Sequence, residues 1–101
     1  MLDREFFLGF IKIHILHHAA QEPIFGVEIA VELSQHGYHV SPGTLYPTLH
    51  RLEEEGYLQS SSKVVKGRVR KYYQATDKGK LVLKESRQKI RELVNEVLKE
   101  T

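Results

Sequence analysis

Residues 59–75 of this 101-residue chain carry five basic side chains and no acidic one. The five are Lys63, Lys66, Arg68, Arg70 and Lys71. This charge is local, because the net charge of the whole chain is only +2 and residues 1–40 are acidic on balance. Lysine and arginine groups that neutralise phosphates release bound counterions, which favours binding. The sequence therefore predicts that a polyanion is met at this segment rather than over the whole surface.

Six histidines form the second group of residues with usable chemistry. His14 and His18 are four residues apart on a predicted helix, and Glu22 follows after four more, a spacing able to hold a metal ion. The alternative is that these histidines border a contact between chains, where a change of protonation near neutral pH would act on that contact. The pattern leaves both interpretations open, and we predict neither a metal site nor a cofactor.

Catalytic motifs are missing from the sequence. With no cysteine, disulfides, thiolate zinc sites and thiol nucleophiles are excluded. There is also no glycine-rich phosphate loop, nucleophile elbow or HExxH motif. The carboxylate run Glu53–Glu55 is better explained as a solvated helix end than as an acid–base pair. The sequence predicts that the protein is not an enzyme.

Nothing in the sequence predicts a membrane or secretory segment. The apolar stretch Phe6–Leu16 is interrupted by Lys12 and His14 and is too short to span a bilayer. It also lacks the basic leader and the small-residue cleavage site of a signal peptide. Together with the absence of cysteine, this predicts a cytoplasmic location without a membrane partner.

Helices are predicted for most of the first half of the chain. The first helix is apolar around most of its circumference, which indicates burial on several sides, and it ends before Pro23. The second spans Gly26–Gln35, with Gly37 at the position of a left-handed C-terminal cap. We expect the first helix to contact both the core of its own chain and a second chain.

The third helix is predicted between Ser41, its N-cap, and Gly56, its stop signal. Its core residues follow helical spacing: Leu45, Leu49 and Leu52. Pro47 lies inside this helix, where it lacks an amide donor and crowds the carbonyl of Gly43. We expect the resulting distortion to be confined to the opening turns.

A hairpin and a last helix complete the chain. The strands are predicted at Tyr57–Val64 and Val69–Ala75, with a glycine-bearing turn between them. Thr76 is the expected N-cap of a helix over residues 77–100. That helix has one apolar stripe, consisting of Leu83, Ile90, Leu93, Val94, Val97 and Leu98.

This order of elements, α-α-α-β-β-α, predicts a mainly α fold with a small β-hairpin, a winged helix-turn-helix. Residues 1–76 would form the DNA-binding domain, and residues 77–101 a dimerisation helix packed on the same domain. In this architecture the third helix enters the major groove of double-stranded DNA. The basic hairpin, or wing, reaches the neighbouring phosphates.

Two further motifs resemble the PadR family of transcriptional regulators. The first is GTLYPTLHRLE at residues 43–53, followed by EGYL at 55–58. The second is RKYY at 70–73, followed by TDKG at 76–79. The resemblance covers residues from about Phe7 to Leu83. It implies a homodimeric repressor that binds a palindromic operator and releases it when an effector, for example a small molecule, binds.

The chain also departs from many members of that family. It has Gln74-Ala75 where many relatives have leucine before the threonine of the last helix. It ends after one helix, and so resembles the short subfamily in which the first and last helices build the dimer. The expected dimer interface consists of Phe6, Phe7, Phe10, Ile13, Leu83, Ile90, Leu93, Val94 and Val97.

The expected DNA-binding residues lie on the third helix and the wing. They are Ser41, Thr44, Tyr46, Pro47, Thr48, Arg51, Lys63, Lys66, Arg68, Arg70 and Tyr72. The resemblance implies that the hydroxyl of Tyr46 faces a phosphate or a base edge. Because side chains alternate along a strand, we expect only one of Tyr72 and Tyr73 to face DNA. The alternative function is a winged-helix module that binds another protein.

Overall fold

The computed structural model describes residues 2–99. Four helices and three strands follow one another along the chain. They are α1 (Leu2–Gln21), β1 (Ile24–Phe25), α2 (Gly26–Gln35), α3 (Pro42–Glu54), β2 (Leu58–Val65), β3 (Arg68–Ala75) and α4 (Asp77–Val97). The winged helix-turn-helix order is therefore confirmed, with one short strand added.

Helix α1 runs through the centre of the hydrophobic core. Ile11, Ile15 and Ala19, each four residues after the last, are fully buried. The helix packs against α2, α4 and β3, which explains why its apolar residues are spread over more than one face. It ends two residues before Pro23, as the restriction on residues preceding proline predicts.

Strand β1 was not predicted from the sequence. Ile24 and Phe25 pair with Tyr73 and Tyr72, so β3 lies in the middle of an antiparallel sheet of order β1-β3-β2. A two-residue strand is too short to show the alternation that identifies a strand. It forms because the chain leaving α1 passes along the open edge of β3.

The wing is a hairpin with a two-residue turn. Lys66 and Gly67 both have positive φ, at 51° and 76°, as a type I′ turn requires. Val65 pairs with Arg68, so each strand extends one residue further into the turn than predicted. Tyr73 is 2% exposed and Tyr72 is half-buried, which confirms that the two tyrosines point to opposite faces.

The helix-turn-helix pair has the predicted boundaries. Gly37, with φ of 85°, and Gly56, with φ of 86°, lie just beyond the ends of α2 and α3. Pro42 occupies the first position of α3, where its missing amide costs nothing. The helix continues through Pro47 to Glu54. Leu45, Leu49 and Leu52 anchor it to the core, each exposed by 3% or less.

Helix α4 is anchored at its start. The hydroxyl of Thr76 accepts a hydrogen bond from the Gly79 amide at 3.0 Å, which confirms the predicted N-cap. The same hydroxyl donates to the Gly56 carbonyl at 2.6 Å. Further along the helix the apolar stripe is exposed to solvent: Ile90 is 37% exposed and Val97 is 66% exposed.

Leu83 is a correction to the predicted dimer interface. It is 3% exposed and belongs to the core of its own chain. Leu83 comes only seven residues after the N-cap, where α4 still packs against α1 and β3.

No helix among residues 2–99 is long and apolar enough to cross a membrane.

Candidate nucleic-acid interface

The exposed side of α3 carries two pairs of side chains, each pair one helical turn apart. Tyr46 and His50 form the first pair and Pro47 and Arg51 the second, and all four are exposed. Ser41 lies at the N-cap, and its hydroxyl donates a long hydrogen bond, 3.4 Å, to the Thr44 hydroxyl. Thr44 is half-buried beside them. The predicted α3 residues therefore share one surface, with Thr48 as the exception.

Thr48 lies deeper than the other predicted residues of α3. It is 8% exposed, and its hydroxyl donates a hydrogen bond to the Thr44 carbonyl at 2.7 Å. A threonine inside a helix often bonds the preceding turn in this way. The part of Thr48 that stays accessible lines a groove together with Pro47 and Arg51.

A groove of about 560 Å³ separates α3 from the wing. Tyr46 and His50 line it from the helix, and Arg68, Arg70 and Lys71 line it from β3. His50 was not among the predicted residues, although its position one turn after Tyr46 placed it on the same face. The groove thus brings the aromatic and basic side chains of two separate elements together.

The cations of the wing divide between the two faces of the sheet. Lys63 pairs directly with Arg70, and Val65 with Arg68, so these basic residues share the face that also carries Tyr72. The ammonium of Lys63 lies 5.1 Å from the centre of the Tyr72 ring. The guanidinium of Arg70 lies 4.5 Å from the centre of the Phe25 ring. These cation–π contacts hold the two charges in place. Lys66 lies exposed in the turn.

Lys71 lies on the opposite face, toward α3. Its ammonium is 3.3 Å from a carboxylate oxygen of Glu53, and Ser60 donates a hydrogen bond to the same carboxylate. The Ser60 hydrogen bond, helped by Lys71, holds the pKa of Glu53 below its usual value. Glu53 therefore ties the wing to α3. Of the five wing cations, Lys71 alone has a carboxylate partner within residues 2–99.

Tyr46 is held against the start of α2. A β-carbon added at Gly26 would lie 2.8 Å from both Cε1 and the hydroxyl oxygen of Tyr46. Glycine at position 26 thus lets the tyrosine ring lie directly over the first turn of α2. The amide groups of that turn give the helix end a partial positive charge. The Tyr46 hydroxyl lies beside that charge.

A second groove, of about 210 Å³, lies on the other side of α3. Arg4 and Lys12 of α1 line it together with Pro47 and Arg51. The sequence offered no sign that these two α1 cations lie beside α3, because α1 is separated from α3 by the whole of α2. The basic surface therefore extends beyond the wing.

An apolar surface formed by α1 and α4 lies apart from these grooves. Phe6 and Phe10 are 53% and 39% exposed, and their rings stack with centres 4.6 Å apart. Phe7 is half-buried against Tyr38. Ile13, Ile90 and Leu93 line a common cleft of about 310 Å³ between the two helices. Val94 and Val97 continue this surface along α4, at 45% and 66% exposed.

Comparison with known proteins identifies relatives over nearly the whole chain. The sequence profile of the family described as "Transcriptional regulator PadR-like family" matches residues 15–85. The chain is 54% identical over 95 residues to the transcriptional regulator Rv3488 of Mycobacterium tuberculosis, covering 94% of this chain and 89% of that protein.

Two solved structures are similar in both sequence and fold. A PadR family transcriptional regulator from Eggerthella lenta is 32% identical with a TM-score of 0.82, covering 95% of this chain and 85% of that one. A PadR-like transcriptional regulator from Bacillus cereus is 35% identical with a TM-score of 0.78, covering 92% of this chain and 95% of that one.

Proposed function

We propose that this chain, which belongs to the PadR-like family of transcriptional regulators, is a homodimeric repressor that binds a palindromic operator. Membership makes it a DNA-binding regulator rather than an enzyme. Repression, the two-fold symmetric operator and release by an effector are the proposed refinements. A regulator of this kind acts where the genome is, so we also propose a cytoplasmic location.

The observation that carries the proposal is the groove between α3 and the wing. The exposed side of α3 fits the major groove, which accepts one helix. With α3 inserted there, the wing residues Lys63, Lys66, Arg68 and Arg70 meet the adjoining phosphates. A phosphate at the Tyr46 hydroxyl would also face the positive end of α2. Helix and wing then bind one continuous stretch of duplex.

The basic residues of α1 extend this contact. Arg4 and Lys12 lie beside Pro47 and Arg51 on the side of α3 away from the wing. Phosphates on both sides of the major groove would then be neutralised, by the wing on one side and by α1 on the other. Glu54 and Glu55, at the C-terminal end of α3, are exposed and would repel phosphate. These charges favour entry of α3 into the groove by its N-terminal half.

The apolar surface of α1 and α4 supports the dimer. Beyond Leu83, residues of α4 with large apolar side chains are exposed, and the molecule extends 58 Å along one axis against 28 and 22 Å along the others. A second copy of the chain, related by a two-fold axis and packed on this surface, would bury the apolar stripes of both α4 helices at once. Two α3 helices related in this way would read half-sites about one helical turn, roughly 34 Å, apart. The operator is then palindromic.

A DNA titration in rising salt tests this function. Wild-type protein and a duplex from the region upstream of its own gene are followed by mobility shift or fluorescence anisotropy. We expect the logarithm of the binding constant to fall steeply and linearly with the logarithm of salt concentration, because each neutralised phosphate releases about 0.9 counterion. Selection from random duplexes should return an inverted repeat. No binding to the upstream DNA, and no selected sequence, would instead favour the protein-binding module.

The dimer is tested by charging the exposed stripe of α4. Leu93 and Val97 are 53% and 66% exposed within one chain, so the double variant Leu93→Asp/Val97→Asp should fold. Carboxylates on this surface would have to be buried in the dimer, which is strongly unfavourable. Light scattering at micromolar concentration should give about the chain mass of 11.7 kDa for the variant and twice that for wild type. Operator affinity should fall by at least about 100-fold as the second half-site is lost.

Leu81→Asp is the matched control for the dimer. Leu81 is 57% exposed on the same helix, but it lies nine residues before Ile90, about two and a half turns, and so faces the other way. This variant should remain dimeric. A monomeric wild type, or a dimeric double variant, would contradict the proposed interface.

A further inference from the structure

We propose that His14, His18 and His36, with Glu32 as a fourth ligand, bind a divalent transition-metal ion of the Zn²⁺ class. The site lies between α1 and the C-terminal end of α2. It is separate from the groove between α3 and the wing, and the proposal does not depend on how the protein binds DNA.

The three imidazoles come together from two helices. His14 and His18 lie one turn apart on α1, with ring centres 6.4 Å apart and ring planes inclined by 13°. His36 approaches from α2, and its ring centre is 4.9 Å from that of His14. One ring nitrogen of each histidine lies within 4.8 Å of one ring nitrogen of each of the other two. Three atoms that are able to bind a metal ion thus lie close together.

The backbone holds His36 in this position. His36 is the C-cap of α2, and its amide donates to the Leu33 carbonyl at 3.1 Å. Gly37 follows with a φ of 85°, and the Tyr38 amide also donates to the Leu33 carbonyl, at 2.9 Å. This is the glycine-terminated helix end that closes a chain tightly. His36 is therefore presented to α1 by a fixed turn rather than by a loose loop.

Glu32 supplies the fourth position, in place of the Glu22 indicated by sequence spacing. Its carboxylate oxygen lies 3.8 Å from Nε2 of His18. Glu22 comes just after the last residue of α1 and is exposed, so it does not continue the line of His14 and His18. Glu32 lies on α2, four residues before the C-cap His36. Helix α1 then contributes two ligands, and the C-terminal end of α2 contributes the other two.

This donor set selects a class of metal. Imidazole nitrogens and one carboxylate suit Zn²⁺, Co²⁺, Ni²⁺ or Cu²⁺, whereas Mg²⁺ and Ca²⁺ require oxygen ligands. Zinc–nitrogen bonds of about 2.0–2.1 Å in a tetrahedron place the nitrogens about 3.3 Å apart. The rings must therefore close by roughly 1–1.5 Å. His14 and His18 are half-buried and His36 is exposed, so side-chain rotation supplies this movement.

One histidine beside the cluster is held elsewhere. His17 takes no part, because its ring nitrogen lies 3.2 Å from the guanidinium of Arg87.

The experiment titrates the 101-residue chain, freed of metal by a chelator, with Zn²⁺ alone and without DNA, and measures the binding heat by calorimetry. We expect one ion per chain, and a Zn²⁺-dependent rise in melting temperature by mass action. The variants His14→Ala and His36→Ala should each lose at least about tenfold in affinity, since loss of even an outer-shell partner costs 10–100-fold. Co²⁺ bound in place of Zn²⁺ should show the visible absorption bands of a tetrahedral nitrogen–oxygen site.

His39→Ala is the matched control, because His39 is an exposed histidine outside the cluster. It should bind Zn²⁺ as wild type does. His36 is also exposed, so its substitution leaves the core intact and its circular dichroism should match that of wild type. Absence of Zn²⁺ binding by wild type would overturn the proposal. So would binding that persists unchanged in His14→Ala and His36→Ala.

Discussion

Replacing Arg68 and Arg70 together by glutamine is expected to weaken operator binding by the dimer about 900-fold at about 0.15 M salt. The figure follows from four phosphates, two for each chain of the dimer, each releasing about 0.9 counterion at that salt concentration. Both residues line the groove between α3 and the wing. Glutamine keeps much of the side-chain stem, and so retains part of the packing of Arg70 on Phe25. The expected loss therefore reports charge rather than folding.

The slope of affinity against salt separates this explanation from a general loss of structure. For the dimer with both substitutions in each chain, the slope of log K against log salt should be smaller in magnitude than that of wild type by about 3.6. Lys80→Gln/Lys84→Gln removes the same number of charges from exposed positions on α4 and should change neither affinity nor slope. An unchanged slope in the Arg68/Arg70 variant would place the phosphates elsewhere.

Gly79→Ala is expected to destabilise the fold strongly. A β-carbon at this position would lie 2.1 Å from the carbonyl oxygen of Tyr57 and 3.1 Å from its carbonyl carbon. That oxygen already accepts a hydrogen bond from the Thr76 amide at 3.1 Å, so the backbone is held on both sides. Relief requires α4 to move away from the start of β2, which also strains the Thr76 cap.

The expected loss in free energy of unfolding is about 3 kcal/mol from overpacking, offset by about 1 kcal/mol because alanine favours helix more than glycine does. A net loss of about 2 kcal/mol should lower the melting temperature by roughly 8–16 °C for a domain of this size. Denaturant unfolding at one fixed protein concentration measures it, because dimer stability depends on concentration.

Gly43→Ala is the matched control for Gly79→Ala. Gly43 lies in the first turn of α3, where an added β-carbon meets only the Ser41 hydroxyl oxygen, at 3.9 Å. Its unfolding free energy should equal that of wild type or exceed it by up to about 1 kcal/mol, because alanine favours helix more than glycine does. A Gly79→Ala variant as stable as this control would show that α4 is not held closely against the Tyr57 carbonyl.

Local signals in the sequence predicted the four helices and most of their ends correctly, although α4 ends at Val97 rather than at residue 100. Gly26–Gln35 has the same bounds in the prediction and in the structure. Gly37 and Gly56 have the positive φ expected of helix-stop glycines, and Thr76 caps α4. These features depend on residues within about one helical turn of each other, so they can be predicted without knowledge of the fold.

The predictions that the structure corrected all depend on contacts between distant segments. Strand β1 exists because β3 has an open edge beside it. Thr48 and Leu83 are buried because α3 and α4 still pack on the core at those positions. The family resemblance assigned Thr48 to the DNA-facing side of α3, and helical spacing placed Leu83 in the apolar stripe of α4.

The candidate site divides in the same way. The order of elements, the apolar stripes and the basic wing can be predicted from the sequence, because periodicity, capping and charge are properties of neighbouring residues. Which of these features contact one another depends on the fold. It placed Arg70 over Phe25, Lys71 against Glu53, and His36 beside His14. The two members of each pair lie 18 to 45 residues apart in the sequence. Packing of the core sets the distance between their side chains, and no local sequence pattern encodes that packing.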